Sequence, residues 1–149
     1  MFETPMTIVG RIITDPRRRV VADQEVISFR VASNSRRRTT DGTWEAGNSL
    51  YVTVNCWGKL VTGVGAGLYK GAAVIAVGTV YTSEYEDREG AKRSSLEMRA
   101  TAVGPDLARV IARIEQPGPS QNSPVADAAG DADDNEEADS QGLVLEAPA

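Results

Sequence analysis

Two stretches of this chain alternate apolar and polar side chains at every step. Residues 25–33 read EVISFRVAS, with Ile27, Phe29 and Val31 on one face and Ser28 and Arg30 on the other. Residues 49–57 read SLYVTVNCW, with Val52, Val54 and Cys56 on one face and Tyr51, Thr53, Asn55 and Trp57 on the other. A period of two belongs to a strand that is buried on one side and wet on the other. It also sets a question, because Trp57, one of the chain's two tryptophans, falls on the wet side.

The same pattern organises the rest of the first hundred residues. Residues 6–14, MTIVGRIIT, are rich in β-branched side chains and stop at Asp15-Pro16. Residues 72–85 read as a long strand in which Gly78 marks a bulge or a sharp bend. Residues 93–103 place Leu96, Met98, Ala100 and Ala102 on one face. Between the third and fourth strands, residues 59–70 have the length of a short helix. Glycines at 63, 65 and 67 each weaken it by about 1 kcal/mol, so a short or frayed helix is expected. Residues 34–48 read as a polar loop and 86–92 as a polar hairpin turn. After Gly104-Pro105, Leu107, Val110, Ile111 and Ile114 recur at helical spacing, which predicts a short C-terminal helix or, failing that, an extended clamp. Three strands, a helix and two strands is the order of an OB-fold, an all-β five-stranded barrel, although other small barrels have similar strand numbers.

Charge divides the chain in two. Residues 1–116 hold all 16 Lys and Arg against 13 acids, a net of +3; residues 117–149 hold eight acids and no base. The second segment is rich in Pro, Gly, Ser and Ala and lacks aromatics, so it is expected to be a disordered acidic tail after a domain spanning 1–116. Its last residues, GLVLEAPA, read either as a featureless end or as a short docking motif. A basic body with an acidic arm suits a protein that touches polyanions.

Several function classes are excluded. The chain has no histidine, so no His-dependent acid–base or zinc chemistry is available, and its single cysteine, Cys56, can close no disulfide within the chain. There is no phosphate-binding GxxxxGK[ST] loop, and the G-V-G-A-G of residues 63–67 lacks the βαβ context of a dinucleotide site. Glu84, Glu86, Asp87 and Glu89 crowd one exposed turn and read as solvated charge. The reading is a non-enzymatic protein with no cofactor and no metal. No apolar run reaches membrane-spanning length and no signal peptide is visible, so no membrane association and a cytoplasmic, nucleoid-associated location are expected.

The wet face of residues 51–57 carries an aromatic near each end, Tyr51 and Trp57. Exposed aromatics on a sheet either pack under a loop or partner subunit or stack on nucleobases. Basic residues cluster around this face: Arg17, Arg18 and Arg19; Arg30; Arg36, Arg37 and Arg38; Lys59; Arg88, Lys92 and Arg93. Solvated surface charge explains any one cluster, but together they furnish the positive groove that a phosphate backbone needs. Tyr81 and Tyr85 extend the platform toward the 86–92 turn, provided that a bulge at Gly78 moves them off the face holding Ile75 and Val77. Trp44, in the polar loop, has two available roles, insertion between bases or cover for the barrel end; Tyr69 reads as packing.

These motifs, VGRIITDP at 9–16 (with Arg11), ISFRVAS at 27–33, YVTVNCWGKL at 51–60, LYKGAAV at 68–74 and GTVYTSEYEDREGAKR at 78–93, run in the order and spacing of the bacterial single-stranded DNA-binding proteins, which the chain resembles over residues 6–103. The resemblance implies an OB-fold, a homotetramer and sequence-tolerant binding of single-stranded DNA in replication, recombination or repair. It puts Tyr51 at a stacking position commonly Trp, Trp57 at one commonly Phe, and Tyr85 at the stacking position of the last hairpin. A fourth position, often Trp, falls on Arg36 or Arg37, where a guanidinium can stack or hold phosphate, with Trp44 close enough in sequence to compensate. The family's acidic tip ends in Ile-Pro-Phe and recruits protein partners; this chain keeps the acids at 127–139 but ends LVLEAPA, which weakens the expectation of tail partners and points to a paralogue. An RNA-binding OB module, or an oligomeric protein that binds nucleic acid incidentally, remain as alternatives.

Overall fold

The computed structural model describes residues 2–116. The compact unit is Met1–Ala112; the predicted acidic tail lies outside the described residues. Six strands and one helix make up the fold: β1 (Thr4–Ile12), β2 (Arg17–Val21), β3 (Gln24–Arg38), β4 (Trp44–Trp57), α1 (Lys59–Gly67), β5 (Ala73–Glu86) and β6 (Lys92–Pro105). The pairings run β1–β5–β6–β4–β3, and β3 returns to β1 through Arg11↔Ala32 and Ile12↔Val31. Five strands thus form a closed circuit, and β2 adds a sixth at the edge, beside β3. All pairs are antiparallel except the short β4–β6 contact, Thr53↔Glu97 to Asn55↔Arg99. This is the expected all-β OB-type arrangement with one helix before the last hairpin.

The core follows the alternation. Ile27, Phe29 and Val31 of β3, Val52, Val54 and Cys56 of β4, Val74 and Ala76 of β5 and Met98 of β6 are buried together, with Val61 and Val64 of α1 closing the cluster. The helix starts at Gly58, whose φ of 65° is a conformation that side chains disfavour, and has no side-chain cap. It ends at Gly67, three residues before the predicted limit, as expected for a glycine-weakened segment held by two buried valines.

Five sequence expectations are corrected. The five strands expected become six: residues 17–19 lie in β2, which pairs with β3 through a tight turn at Ala22 and Asp23, both at positive φ, in place of the usual Asn-Gly. Residues 34–48 are not a loop, because β3 and β4 continue as a hairpin to Arg38↔Trp44. In β5 the inward side chains are Val74 and Ala76, so Tyr81 and Tyr85 already face outward with Val77 and no bulge in β5 is needed. The irregularity sits across from it: Val77↔Ala102 is followed by Gly78↔Ala100, leaving Thr101 of β6 as the extra residue. A Cβ on Gly78 would run into the carbonyl of Arg99 and come within 2.8 Å of Ala100 Cα, so the close strand approach requires glycine. The bulge also reverses the end of β6, leaving Ala102 exposed and Val103 against the core.

The fifth correction is the C-terminal helix, which does not form. Pro105 stays in β6 opposite Val74, and the Asp106 amide bonds to the Ala73 carbonyl, holding the backbone in the sheet. A single turn follows, closed by Asp106, whose carboxylate accepts from the Ala108 amide (3.1 Å) and the Arg109 guanidinium (3.0 Å). Leu107 and Ile111 are exposed, at 66% and 97%, so the apolar stripe lacks the packing that stabilises a short helix.

Candidate nucleic-acid interface

Register places the candidate residues on one outward surface. Along β3 the even-numbered side chains point out and along β4 the odd ones do, giving the cross-strand neighbours Ser28↔Asn55, Arg30↔Thr53, Ala32↔Tyr51 and Asn34↔Ser49. Arg30 donates from Nη1 to Thr53 Oγ1 (2.9 Å), and its guanidinium carbon lies 5.7 Å from the centre of the Tyr51 ring. Trp57 is half-buried rather than fully wet: it lies opposite the buried Val26, and the Arg99 guanidinium sits 5.6 Å from its ring centre. Each guanidinium sits within cation–π range of its ring and limits its motion.

The β3–β4 hairpin supplies Trp44 through a bulge. The register passes from Asn34↔Ser49 to Arg36↔Ala46, so Gly47 and Asn48 stand against the single Ser35. The extra residue switches the parity of β4, and Trp44, opposite Arg38, lands on the face that carries Tyr51 and Trp57. Trp44 is 58% exposed. Arg36 and Arg38 share that face by alternation from Arg30. Arg37 does not; it points the other way and pairs with Glu45 at 2.8 Å. The two residues aligned with a family stacking position are thereby separated, with Arg36 on the platform and Arg37 off it.

The β5–β6 hairpin brings Tyr81 opposite Glu97 and Tyr85 opposite Arg93. Tyr81 donates to Glu97 Oε1 (3.3 Å); partial burial, and then the Glu97 charge, push its phenol pKa up. Arg93 is committed to Asp87 at 2.9 Å, and that hydrogen bond, with one from the Ala91 amide, holds the Asp87 carboxyl below its ordinary value. Lys92, opposite Glu86, has the other parity. Arg88 is exposed in the turn, and Lys59 is exposed at the start of α1, two residues beyond Trp57. Arg11 of β1 stands beside Ala32, on the far side of β3 from Tyr51, and donates to the Gly71 carbonyl (3.0 Å).

Four contributors were under-read in the sequence. Arg99 alternates outward in β6 from Glu97 and could have been found by period alone. Arg17 and Arg19 pair with Ser28 and Val26 and so join the platform face, whereas Arg18 turns toward Gly65 of α1. Asn55, 6% exposed, is held between Ser28 Oγ (2.7 Å) and Glu97 Oε1 (3.0 Å), forming a polar floor for the aromatics. Cys56 beneath is fully buried; desolvation pushes its thiol up to about 12, which removes it from nucleophilic chemistry.

Comparison with known proteins matches this architecture. The model of the single-strand binding protein family matches residues 4–106. A single-stranded DNA-binding protein of Corynebacterium glutamicum is 38% identical over 125 residues, covering 81% of this chain but only 55% of that protein, so the chain spans little more than half of its relative's length. The structure of the second single-stranded DNA-binding protein of Mycobacterium smegmatis is similar with 56% identity and a TM-score of 0.59, over 77% of this chain and 100% of the other. The small single-stranded DNA-binding protein of Streptomyces coelicolor is similar with 31% identity and a TM-score of 0.67, over 74% and 100%. With a family match spanning the six strands and the helix that build the aromatic face, the chain belongs to the single-strand binding protein family.

Proposed function

We propose that the chain binds single-stranded DNA with little regard to sequence, bases stacking on Trp44, Tyr51, Trp57, Tyr81 and Tyr85 and phosphates held by the surrounding arginines. One observation carries this reading: three aromatics of β4 share a face with Arg38, Arg30 and Arg99, two of which sit over the rings. Every base has a π-face, so such a row grips any single strand, each stack contributing about 1–3 kcal/mol. Arg30, Arg36, Arg38 and Arg99 make no ion pair among the described residues and are free for phosphate.

Assembly as a homotetramer goes with this reading. Val9 and Val77 are exposed on the outward faces of the neighbouring strands β1 and β5, an apolar strip suited to a subunit contact. The likeness to a second DNA-binding protein of another organism supports a paralogue's role in replication, recombination or repair at the nucleoid, in the cytoplasm. The acidic residues 117–149 compete with DNA for the basic face, and tail partners are secondary to that.

The test is titration of tryptophan fluorescence with single- and double-stranded oligonucleotides at two salt concentrations, on the full chain and on residues 1–116. Single strands should quench, with affinity falling as salt rises, and the truncated chain should bind more tightly, most visibly at low salt. Equal affinity for duplex, or no salt dependence, defeats the reading; tighter binding of oligo-rU than oligo-dT assigns the face to RNA.

A further inference from the structure

A carboxylate stands in the middle of a face otherwise suited to a polyanion. Glu97 of β6 lies between Thr53 of β4 and Tyr81 of β5 in one cross-strand row that continues to Arg30. Its partners are neutral donors: the Asn55 amide (3.0 Å) and the Tyr81 hydroxyl (3.3 Å), both on Oε1. Among the described residues it forms no ion pair, although Arg30 and Arg99 lie in adjacent positions, each over its own aromatic ring.

An ionised carboxylate offers about four acceptor positions. Oε2 has a single contact, Ser95 Oγ at 3.5 Å, which is at the limit for a hydrogen bond. Glu97 thus presents an under-used acceptor toward the surface between Tyr81 and the β4 aromatics. A phosphate cannot sit there, because two like charges at contact distance repel. A base stacked on Tyr81 or Tyr51 can, if its edge carries a donor. Carboxylate side chains accept from the exocyclic amino group of cytosine. Uracil and thymine offer only N3–H, flanked by two carbonyl oxygens that the carboxylate repels.

We propose that Glu97 is a base-reading residue: Oε2 accepts a hydrogen bond from amino-bearing bases, cytosine among them, which sets a compositional preference within otherwise tolerant binding and diverts the phosphate backbone to the arginines on either side. The inference rests on the single-stranded DNA reading above. Asn55 and Tyr81 are positioning residues, fixing the carboxylate through Oε1 while leaving Oε2 open.

The test compares oligo-dC with oligo-dU of equal length, which differ on this edge and lack the thymine methyl, by fluorescence titration at fixed salt. The wild-type chain should bind dC about fivefold more tightly than dU. Glu97→Gln keeps a carbonyl oxygen for Asn55 and Tyr81 and so turns its amide NH2 outward, where it meets a uracil carbonyl and no longer accepts from cytosine; the ratio should fall to one or below. Glu86→Gln removes a carboxylate of the same hairpin that lies on the other face, opposite Lys92, and should keep the ratio. Wild-type preference for dU, an unchanged ratio in Glu97→Gln, or a ratio lost equally in Glu86→Gln each overturn the proposal. Failure of the wild-type chain to bind either oligonucleotide would instead overturn the functional reading beneath it.

Discussion

The two hairpins that flank the candidate site are built alike and charged differently. Residues 17–57, which form β2, β3 and β4, carry seven arginines against four acids; residues 79–99, most of the β5–β6 hairpin, carry four bases against five acids. The first region leaves Arg30, Arg36 and Arg38 without an ion pair among the described residues and sets Tyr51 under its own Arg30, while Trp57 takes its guanidinium, Arg99, from β6. The second neutralises Arg93 with Asp87 and places Glu97 in its outward row. Both offer aromatics, but only the first offers aromatics with net positive charge. In the proposed complex, most phosphate attraction belongs to the β2–β4 side, and the β5–β6 hairpin contributes mainly base contacts.

The largest effect should separate the aromatics. Trp57 is half-buried and held by Arg99, so little ordering remains to be done when a base stacks on it; Tyr85, 52% exposed near the hairpin tip, must be ordered on binding. Trp57→Ala is expected to weaken oligo-dT binding by about 2–3 kcal/mol and Tyr85→Ala by about 1 kcal/mol. Isothermal titration at fixed salt measures both. Equal losses would remove the distinction between a preorganised and a mobile platform.

How much of that distinction could be read from sequence depends on whether the alternation ran unbroken. In residues 51–57 it does, and Val52, Val54 and Cys56 went inward as predicted while Tyr51 and Trp57 took the other face. In residues 72–77, AAVIAV, every side chain is apolar, so periodicity cannot choose a face. The fold buries Val74 and Ala76 where β5 runs close to its neighbours and leaves Val77 outside. A glycine marks each bulge, Gly47 within the first and Gly78 across from Thr101 in the second, but a glycine does not say which strand carries the extra residue, and that decides that Trp44 joins the platform and that Ala102 leaves the core. Strand β2 was hidden because Ala22-Asp23 does not advertise a tight turn. The Leu107–Ile114 stripe shows the opposite failure: a clear helical period with no packing surface among the described residues.

A smaller effect tests the charge asymmetry itself. Each phosphate contact on a single strand adds about 0.7 to the steepness of affinity against salt. Replacing Arg30 and Arg38 together with Gln should therefore lower the slope by about 1.4, if both hold phosphate. Replacing the neutral pair, Arg93→Gln with Asp87→Asn, should leave the slope nearly unchanged. Titrations across a salt series give both numbers. A slope that falls equally in the two double variants would mean that Arg93 leaves Asp87 for DNA and that the hairpins are electrostatically equivalent.

The smallest effect sharpens the comparison from the other side. Asp87→Asn alone removes the charge that holds Arg93 beside Tyr85, and so makes the β5–β6 hairpin resemble its neighbour. The freed guanidinium should take up a phosphate, raising affinity a few-fold at low salt and the salt slope by about 0.7. Acid should imitate the substitution in the wild-type chain. Because Asp87 is held below its ordinary 3.8, by Arg93 first, the pair's contribution to stability is present above that value and is lost as pH falls through the lower, folded-state value. Arg93 is thus retained by Asp87 throughout the neutral range and released only in strong acid, so at neutral pH the two hairpins stay unequal. An Asp87→Asn variant with wild-type affinity and slope would show that Arg93 cannot reach the backbone even when free, and that the hairpin's geometry, not its charge, keeps phosphate away.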